Sequence, residues 1–450
     1  MAAAVGRIAA SAGQAMRPVI FAVAGTGVIA LLAYVSLDNR MYALIGAVAV
    51  LALGLLALDP ALLPVAAAPG MFLLQRAGSL SVSDLILFVS AVVALPLVRP
   101  SQSPVLRTLL WTVVAYQALL IPTLISNPYR ANLIEWGHEL FLVGGALIIG
   151  WVIGNAGYGR LAVGLYVVPC CVLAVLVVIS AVGGGFHLAG FWIYQKNAIG
   201  DLFAFAAVIG YARPAWLRWR PAAGTLVTLL CSAGALAIVS RQAIVSIAAA
   251  VAVLAIRKVA NRRSRIVLLA MIPAIAIAYN ITADQLQSDN KFNSAYQRLQ
   301  WYGDSLDVWR QARWLGVGLR WWYTNRFSVN FQPPNAEFEM LTSAGIVGVA
   351  AFIVTFVVAL RALWRMDPLY GVLPFTILVV RFVQGQLDLY WVATQSSLPW
   401  LIVGICLGVQ SLMRVRGSAA QPESGTVERS DLTAPRSRNP THALAAPSDR

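Results

Sequence analysis

Charge is scarce in this chain. Asp, Glu, Lys and Arg make up 11% of its 450 residues, against 59% hydrophobic, and the mean hydropathy is +0.75. A soluble domain carries roughly 25% charged residues. So few charges cannot coat a surface that faces water, which excludes a soluble globular protein and leaves lipid to cover most of it. Cysteine is rare too. Cys170, Cys171, Cys231 and Cys406 all fall inside apolar runs, with no CxxC pair and no Cys/His cluster. That excludes a disulfide framework and a zinc site. No DxD-type or other paired-carboxylate motif marks the main polar loop, so neither a metal nor another cofactor is expected.

Acidic residues are outnumbered, 18 against 33 Lys and Arg, for a formal charge of +15. In a soluble protein that excess points to nucleic acid. Here the basic residues gather in short loops between apolar runs, as they do where Lys and Arg stay on the cytoplasmic side. A nucleic-acid partner is therefore excluded, and a lipid bilayer is expected instead.

What the chain has in abundance is apolar runs of spanning length, about 20 residues, with shorter ones admissible inside a bundle. They fall near 18–37, 41–58, 60–76, 82–98, 105–125, 131–153, 160–182, 198–212, 223–239, 243–256, 264–280, 337–362, 369–385 and 391–412. The run at 60–76 holds Pro60, Pro64, Pro69 and Gly70 and is expected to be broken or re-entrant. The expected fold class is all-α: a polytopic membrane helix bundle of about 12–14 transmembrane helices with one large extracytoplasmic loop.

The basic clusters are Arg213, Arg218 and Arg220; Arg257, Lys258, Arg262, Arg263 and Arg265; Arg361 and Arg365; and Arg414 with Arg416. All four fit the cytoplasmic side of one topology. Residues 1–17 then form a cytoplasmic segment ahead of a retained first helix rather than a cleaved leader. Residues 18–280 form an N-terminal transmembrane bundle, 281–336 an extracytoplasmic loop, and 337–412 the C-terminal transmembrane helices. Residues 413–450 are poor in large apolar side chains and read as a disordered cytoplasmic tail. The expected location is a bacterial inner membrane, crossed many times, with both termini in the cytoplasm.

The loop 281–336 is the sizeable polar region outside the tail. Its stretch 294–314 reads as a helix on which Arg298, Tyr302, Ser305 and Trp309 share a face, and Gly316-Val317-Gly318 is expected to end it. Trp301, Tyr302, Trp309, Trp314, Trp321, Trp322 and Tyr323 surround several arginines. One reading is an interfacial belt of aromatics with Arg on lipid phosphate. The other is a sugar and diphosphate site, where aromatic faces pack on sugar rings and Arg forks grip phosphate. Arg241 stands at the junction of two apolar runs, either snorkelling or binding an anionic headgroup. Arg130, Glu135 and His138, then Lys196, Asn197 and Asp201, then Arg381 and Asp388 lie near the same level. Singly each is an ordinary ion-pair member; together they suggest a polar cavity for a charged lipid headgroup.

Three stretches bring a family into view: AIVSRQAIVSI around Arg241, YQRLQWYGDSLDVWRQARWLGVGL from Tyr296, and PPNAEFEMLTSAGIVGVAAF from Pro333. In content and order they resemble the O-antigen ligase and polymerase-like superfamily; QKNAIGDLFAF around Asn197 is a weaker match. The resemblance implies a transferase that takes a glycan from a polyprenyl-diphosphate carrier to a glycan or lipid acceptor outside the inner membrane, in surface polysaccharide biosynthesis. It places Arg241 and Arg298 on the family's functional arginines, holding the diphosphate, and Arg320 in the same loop is read as able to assist them. Asn335, Tyr302, Lys196 and Asn197 are the further substrate contacts it suggests.

The chain departs from the family at one place. Where the family has His before Asn, this sequence has Pro334 before Asn335. In the family that His is the proposed base for the acceptor hydroxyl, and proline cannot take its role. Glu337 or Glu339 is one substitute, since a buried Glu can act as a base. His187 from another loop is a second, and a member with a different acceptor or no transfer activity is a third. Both glutamates equally suit a helix N-terminus electrostatically. A polymerase, a transporter or export component, and a non-catalytic scaffold remain the rival readings of the whole chain.

Overall fold

Prolines and short polar caps set the ends of the helices. The computed structural model describes residues 40–77, 80–99, 102–184, 190–191, 194–257 and 294–419. The expected spans at 18–37 and 264–280, the first part of the loop, the cytoplasmic segment 1–17, His187, the cluster from Lys258 to Arg265 and the tail beyond 419 lie outside the described residues.

Helix α1 (Arg40–Leu58) ends at Asp59, whose Oδ1 accepts from Ala61 N at 2.8 Å and starts a 3-10 turn, Pro60–Ala66, that runs into Ala67–Gly70. Proline at 60, 64 and 69 removes backbone donors, so the expected span at 60–76 is a broken one. A two-residue hairpin follows, β1 (Arg76–Ala77) against β2 (Leu80–Ser81). Helix α2 (Val82–Ala94) opens with a capping box in which Ser81 and Asp84 satisfy each other's backbone donors. Helix α3 (Pro104–Ser126) has Ser103 as its cap, and α4 (Arg130–Asn155) contains a π turn at Phe141–Gly145. Then come α5 (Gly159–Gly184), a second hairpin of β3 (Gly190–Phe191) with β4 (Tyr194–Gln195), α6 (Lys196–Ala212), α7 (Pro221–Ala237) and α8 (Arg241–Arg257). Helix α9 (Ser294–Arg310) lies in the polar loop, and α10 (Ala336–Trp364), α11 (Pro368–Gly385) and α12 (Ala393–Ala419) complete the described chain.

The architecture is an all-α membrane bundle. Among the described residues α3, α4, α5, α10, α11 and α12 are long and apolar enough to cross a bilayer. The outward faces are apolar, with Trp111, Val168 and Ile179 more than half exposed, while buried positions include polar ones such as Gln117, Asp201, Arg381 and Gln384. Helices α4 and α12 approach most closely: a Cβ on Gly150, Gly154, Gly404 or Gly408 would strike backbone of the facing helix. Small residues four apart on both partners are how helices without a hydrophobic driving force gain dispersion contact in lipid.

Basic residues mark the end of the bundle away from α9. Arg257 at the end of α8 lies over the Trp364 ring at 4.3 Å and donates to Trp364 O at 2.6 Å. Arg160 of α5, Arg218 of the turn between α6 and α7, and Arg416 of α12 line one cavity.

Candidate functional site

The polar loop is built into the bundle rather than laid over it. Helix α10 breaks at Gly345, whose φ of 65° and ψ of −161° interrupt the helical hydrogen bonds. Loop residues fill the gap. Val317 N donates to Thr342 O and Gly318 N to Ser343 O, each at 2.9 Å, and Ile346 N donates to Arg313 O at 3.0 Å. Backbone groups freed inside a membrane helix need such partners, since each one left bare costs several kcal/mol. Gly316 and Gly318 have φ of 68° and 99°, and a Cβ on either would collide with Ser343 or with the Tyr129 ring. The two glycines therefore do not end α9, as the sequence suggested. That helix stops at Arg310, and the glycines let the chain dock against the break in α10.

The turn between α3 and α4 grips the other side of the same segment. Thr123 Oγ1 donates to Leu315 O at 2.8 Å, Tyr129 Oη to Leu319 O at 2.7 Å, and Leu319 N donates to Asn132 Oδ1 at 2.9 Å. Clamped on both sides, the chain delivers Arg320 in the left-handed region, φ 53°, directly against α4. Its Nε pairs with Glu135 Oε2, and its Nη2 lies 3.2 Å from His138 Nδ1. The same His138 Nδ1 lies 3.1 Å from Glu135 Oε2, while Nε2 lies 3.0 Å from Asp84 Oδ1. Asp84 is held in turn by Ser81, whose N and Oγ each donate to Oδ2 at 2.8 Å.

These groups line a cavity of about 340 Å³, whose other walls include Asn197, Gln332, Trp322, Asp388 and Trp391. The two carboxylates sit on opposite ring nitrogens and so do not converge on a point. Among the described residues no group of three or more His, Cys, Asp and Glu is arranged to hold a metal ion. Leu80, Asp84 and His138 also border an apolar crevice walled by Leu85, Phe88, Leu133 and Phe141. Behind the cavity wall, Tyr116 Oη donates to Glu139 Oε2 at 2.7 Å, and Gln332 Nε2 donates to Glu339 Oε1 at 2.7 Å.

A second cluster gathers around α9. Its inward face carries Arg298, Tyr302 and the buried Ser305 and Val308, whereas Trp309 turns its Nε1 to Arg313 O at 3.0 Å. The Tyr302 ring stacks on Phe338 at 4.6 Å and 6°. Burial pushes the Tyr302 phenol above its ordinary value; Arg298 opposes this and Glu337 adds to it. Arg298 also acts electrostatically on Arg241, the first residue of α8.

Beside them Asn335 caps α10: its Oδ1 accepts from Glu337 N and Phe338 N, each at 3.0 Å, and its Nδ2 donates to Gln386 O at 3.2 Å. Gln386 Nε2 donates to Glu337 Oε1 at 2.7 Å. The cap of α10 is thus the Asn, while Glu337 is held by Gln386 and the buried Glu339 by Gln332.

Asn197 joins the cavity to this region. Its Nδ2 donates to Asp388 Oδ2 at 2.7 Å, and its carbonyl accepts from Gln242, the neighbour of Arg241, at 3.5 Å. Gln242 Nε2 also donates to the fully buried Asp201 at 2.8 Å, and Arg381 lies 3.9 Å from that carboxylate. Arg381 is itself buried, donating to Leu389 O at 3.1 Å, to Tyr390 O and to Ser396 Oγ at 3.3 Å.

Of the residues singled out in the sequence, Arg320 and Asn197 line the cavity, and Glu135, His138 and Asp388, noted only as ionisable neighbours, line it with them. Arg241, Arg298, Tyr302, Glu337 and Asn335 form the adjoining cluster. Glu339 lies behind Gln332, and Lys196 is exposed at the start of α6, outside the cavity lining. Asp84 and Gln332 were not anticipated. Asp84 carries a visible signal, the Ser-x-x-Asp spacing of a capping box, but that pattern announces a helix start and not a cavity.

A family model described as O-antigen ligase matches residues 226–353. The matched stretch holds Arg241, Arg298, Arg320, Asn335, Glu337 and Glu339, and so all three motif stretches. No curated protein matches the chain.

Proposed function

We propose, from the chain's place in the O-antigen ligase-like superfamily, that it transfers a glycan from a polyprenyl-diphosphate carrier to a glycan or lipid acceptor at the outer face of the inner membrane. The chain is a membrane protein with an O-antigen ligase-like region, of a family that works in surface polysaccharide synthesis. The gathering of basic residues at the end away from α9 supports an orientation with the loop outside.

The observation that carries the reading is the placement of Arg241 and Arg298 within electrostatic reach of each other, inside the matched stretch. Two guanidinium groups held together repel. A diphosphate between them converts that repulsion into two charge-assisted, bidentate contacts. As the bond from the anomeric carbon to the phosphate oxygen breaks, negative charge grows on the diphosphate, and fixed cations stabilise it most where it grows most. Tyr302, one helical turn beyond Arg298 on α9, stacks on Phe338, and the aromatic pair suits an apolar sugar face. Asn197 and Arg320 then address the glycan or the acceptor from the cavity wall.

The test is transfer from a synthetic polyprenyl-diphosphate oligosaccharide by the purified full-length protein. Arg298→Ala and Arg241→Ala are each expected to lower kcat by about 10²–10³, the usual loss for one charge-stabilising group. Release of polyprenyl diphosphate at the wild-type rate by both variants would sink the reading. Glu339→Ala in the same assay reports whether that carboxylate takes part.

A further inference from the structure

Moving a sugar onto a hydroxyl leaves a proton to be placed, and proline at 334 cannot take it. We infer that Glu135 and His138 together receive the proton of the acceptor hydroxyl, with Asp84 and Arg320 positioning the pair; this rests on the transfer reading given above. Both residues line the polar cavity, and both are buried, Glu135 to 3% exposure and His138 to 8%.

The ring is anchored at one nitrogen and adaptable at the other. Nε2 faces Asp84, which Ser81 holds in place from a capping box, so an Nε2–H is fixed toward that carboxylate. Nδ1 faces two groups of opposite character at nearly equal range, Glu135 Oε2 at 3.1 Å and Arg320 Nη2 at 3.2 Å. With a proton, Nδ1 donates to Glu135. Without one, Nδ1 accepts from Arg320. Either state of the ring is hydrogen-bonded, so a proton can be gained or lost there without orphaning a buried group, which would cost about 1–3 kcal/mol. A purely structural ion pair needs no such second partner.

The acceptor oxygen bonds to the anomeric carbon while the bond from that carbon to the phosphate oxygen breaks, and its electron pair leaves with the polyprenyl diphosphate. The hydroxyl proton passes to the Glu135 carboxylate and is shared with His138 Nδ1. Arg320 keeps the pair from accumulating net negative charge when the proton is absent. The charged and titratable groups facing the pair are Asp84 from α2, Arg320 from the loop, Glu139 on the same helix and Glu339 from α10, with Tyr116 of α3 hydrogen-bonded to Glu139.

The experiment follows single-turnover transfer against pH with purified full-length protein and a synthetic polyprenyl-diphosphate oligosaccharide. It compares wild type, Glu135→Gln, His138→Gln and Asp84→Asn, and measures donor binding and thermal unfolding of each. The expected result is a fall in kcat of about 10²–10⁴ for Glu135→Gln, the range for losing a general base, with donor affinity kept. His138→Gln is expected to remove the limb of the pH–rate profile that the pair creates, and Asp84→Asn to displace that limb.

Wild-type kcat and profile in folded Glu135→Gln and His138→Gln, while Arg298→Ala is inactive, would overturn this inference and leave the transfer reading standing. Wild-type protein that transfers to no acceptor would overturn both. Should Glu135→Gln fail to fold, His138→Gln with an unchanged profile is enough to reject the proposal.

Discussion

Arg320 is the residue on which the cavity's charges converge. It neutralises Glu135, hydrogen-bonds the imidazole beside it, and does so from a backbone conformation that a non-glycine residue adopts at a cost of about 1–2 kcal/mol. Arg320→Ala would leave a buried carboxylate uncompensated, and a loss of about 3–5 kcal/mol is expected. Arg320→Lys keeps the charge but not the forked reach to both Glu135 and His138, so a smaller loss is expected. Thermal unfolding in detergent ranks the two; equal midpoints for Arg320→Ala and wild type would refute the assignment. Asn335 presents a different case, because both of its polar ends are already engaged, one in capping α10 and one on Gln386. Asn335→Ala should therefore cost about 1 kcal/mol of stability whatever it does to transfer. Asn335→Asp, which still caps, should restore most of that stability in the same measurement.

At the scale of elements, α10 and the segment 313–318 are two halves of one structure. Neither satisfies its own backbone, and each supplies what the other lacks. Gly345→Ala places a Cβ against the Trp314 carbonyl at a φ of 65°. It is expected to destabilise by at least about 1–2 kcal/mol and to loosen the loop, read as faster protease cleavage between 311 and 330. Unchanged cleavage would mean that the break in α10 does not hold the loop.

The sequence made the helices legible because runs of apolar residues between prolines and basic loops leave little choice, and most expected ends fall within a few residues of the observed ones. It made Gly316 and Gly318 visible but not their purpose. A glycine after a helical stretch reads as a stop, whereas these two serve contacts to Ser343 and Tyr129 far away in the chain. Asp84, fifty-four residues before His138, was invisible for the same reason. Local patterns announce local hydrogen bonds, and its partnership with His138 is made only by packing α2 on α4.

For the molecule as a whole, the glycine seam between α4 and α12 sets how closely the site-bearing helix is held. Gly154→Leu or Gly408→Leu would force the two backbones apart, and a loss comparable to overpacking a core, about 1–3 kcal/mol or more, is expected. Because α4 carries Glu135 and His138 at its other end, transfer should fall along with stability; a variant with a lowered midpoint and full activity would show that the seam and the cavity are mechanically separate.

The broken helix also bears on how the chain enters the bilayer. Segment 313–318 precedes α10 in the chain, so it is already made when α10 is being threaded into lipid. Until that segment docks, the amides and carbonyls around Gly345 lie bare in a medium that cannot solvate them, at several kcal/mol for each. Helix α10 is thus a poor traveller on its own. Excised and offered to an insertion machinery without the residues before it, it should be retained less efficiently than its apolar sequence promises, and adding 294–335 back in front should restore it. The polar loop acts as the escort that makes its own following helix insertable.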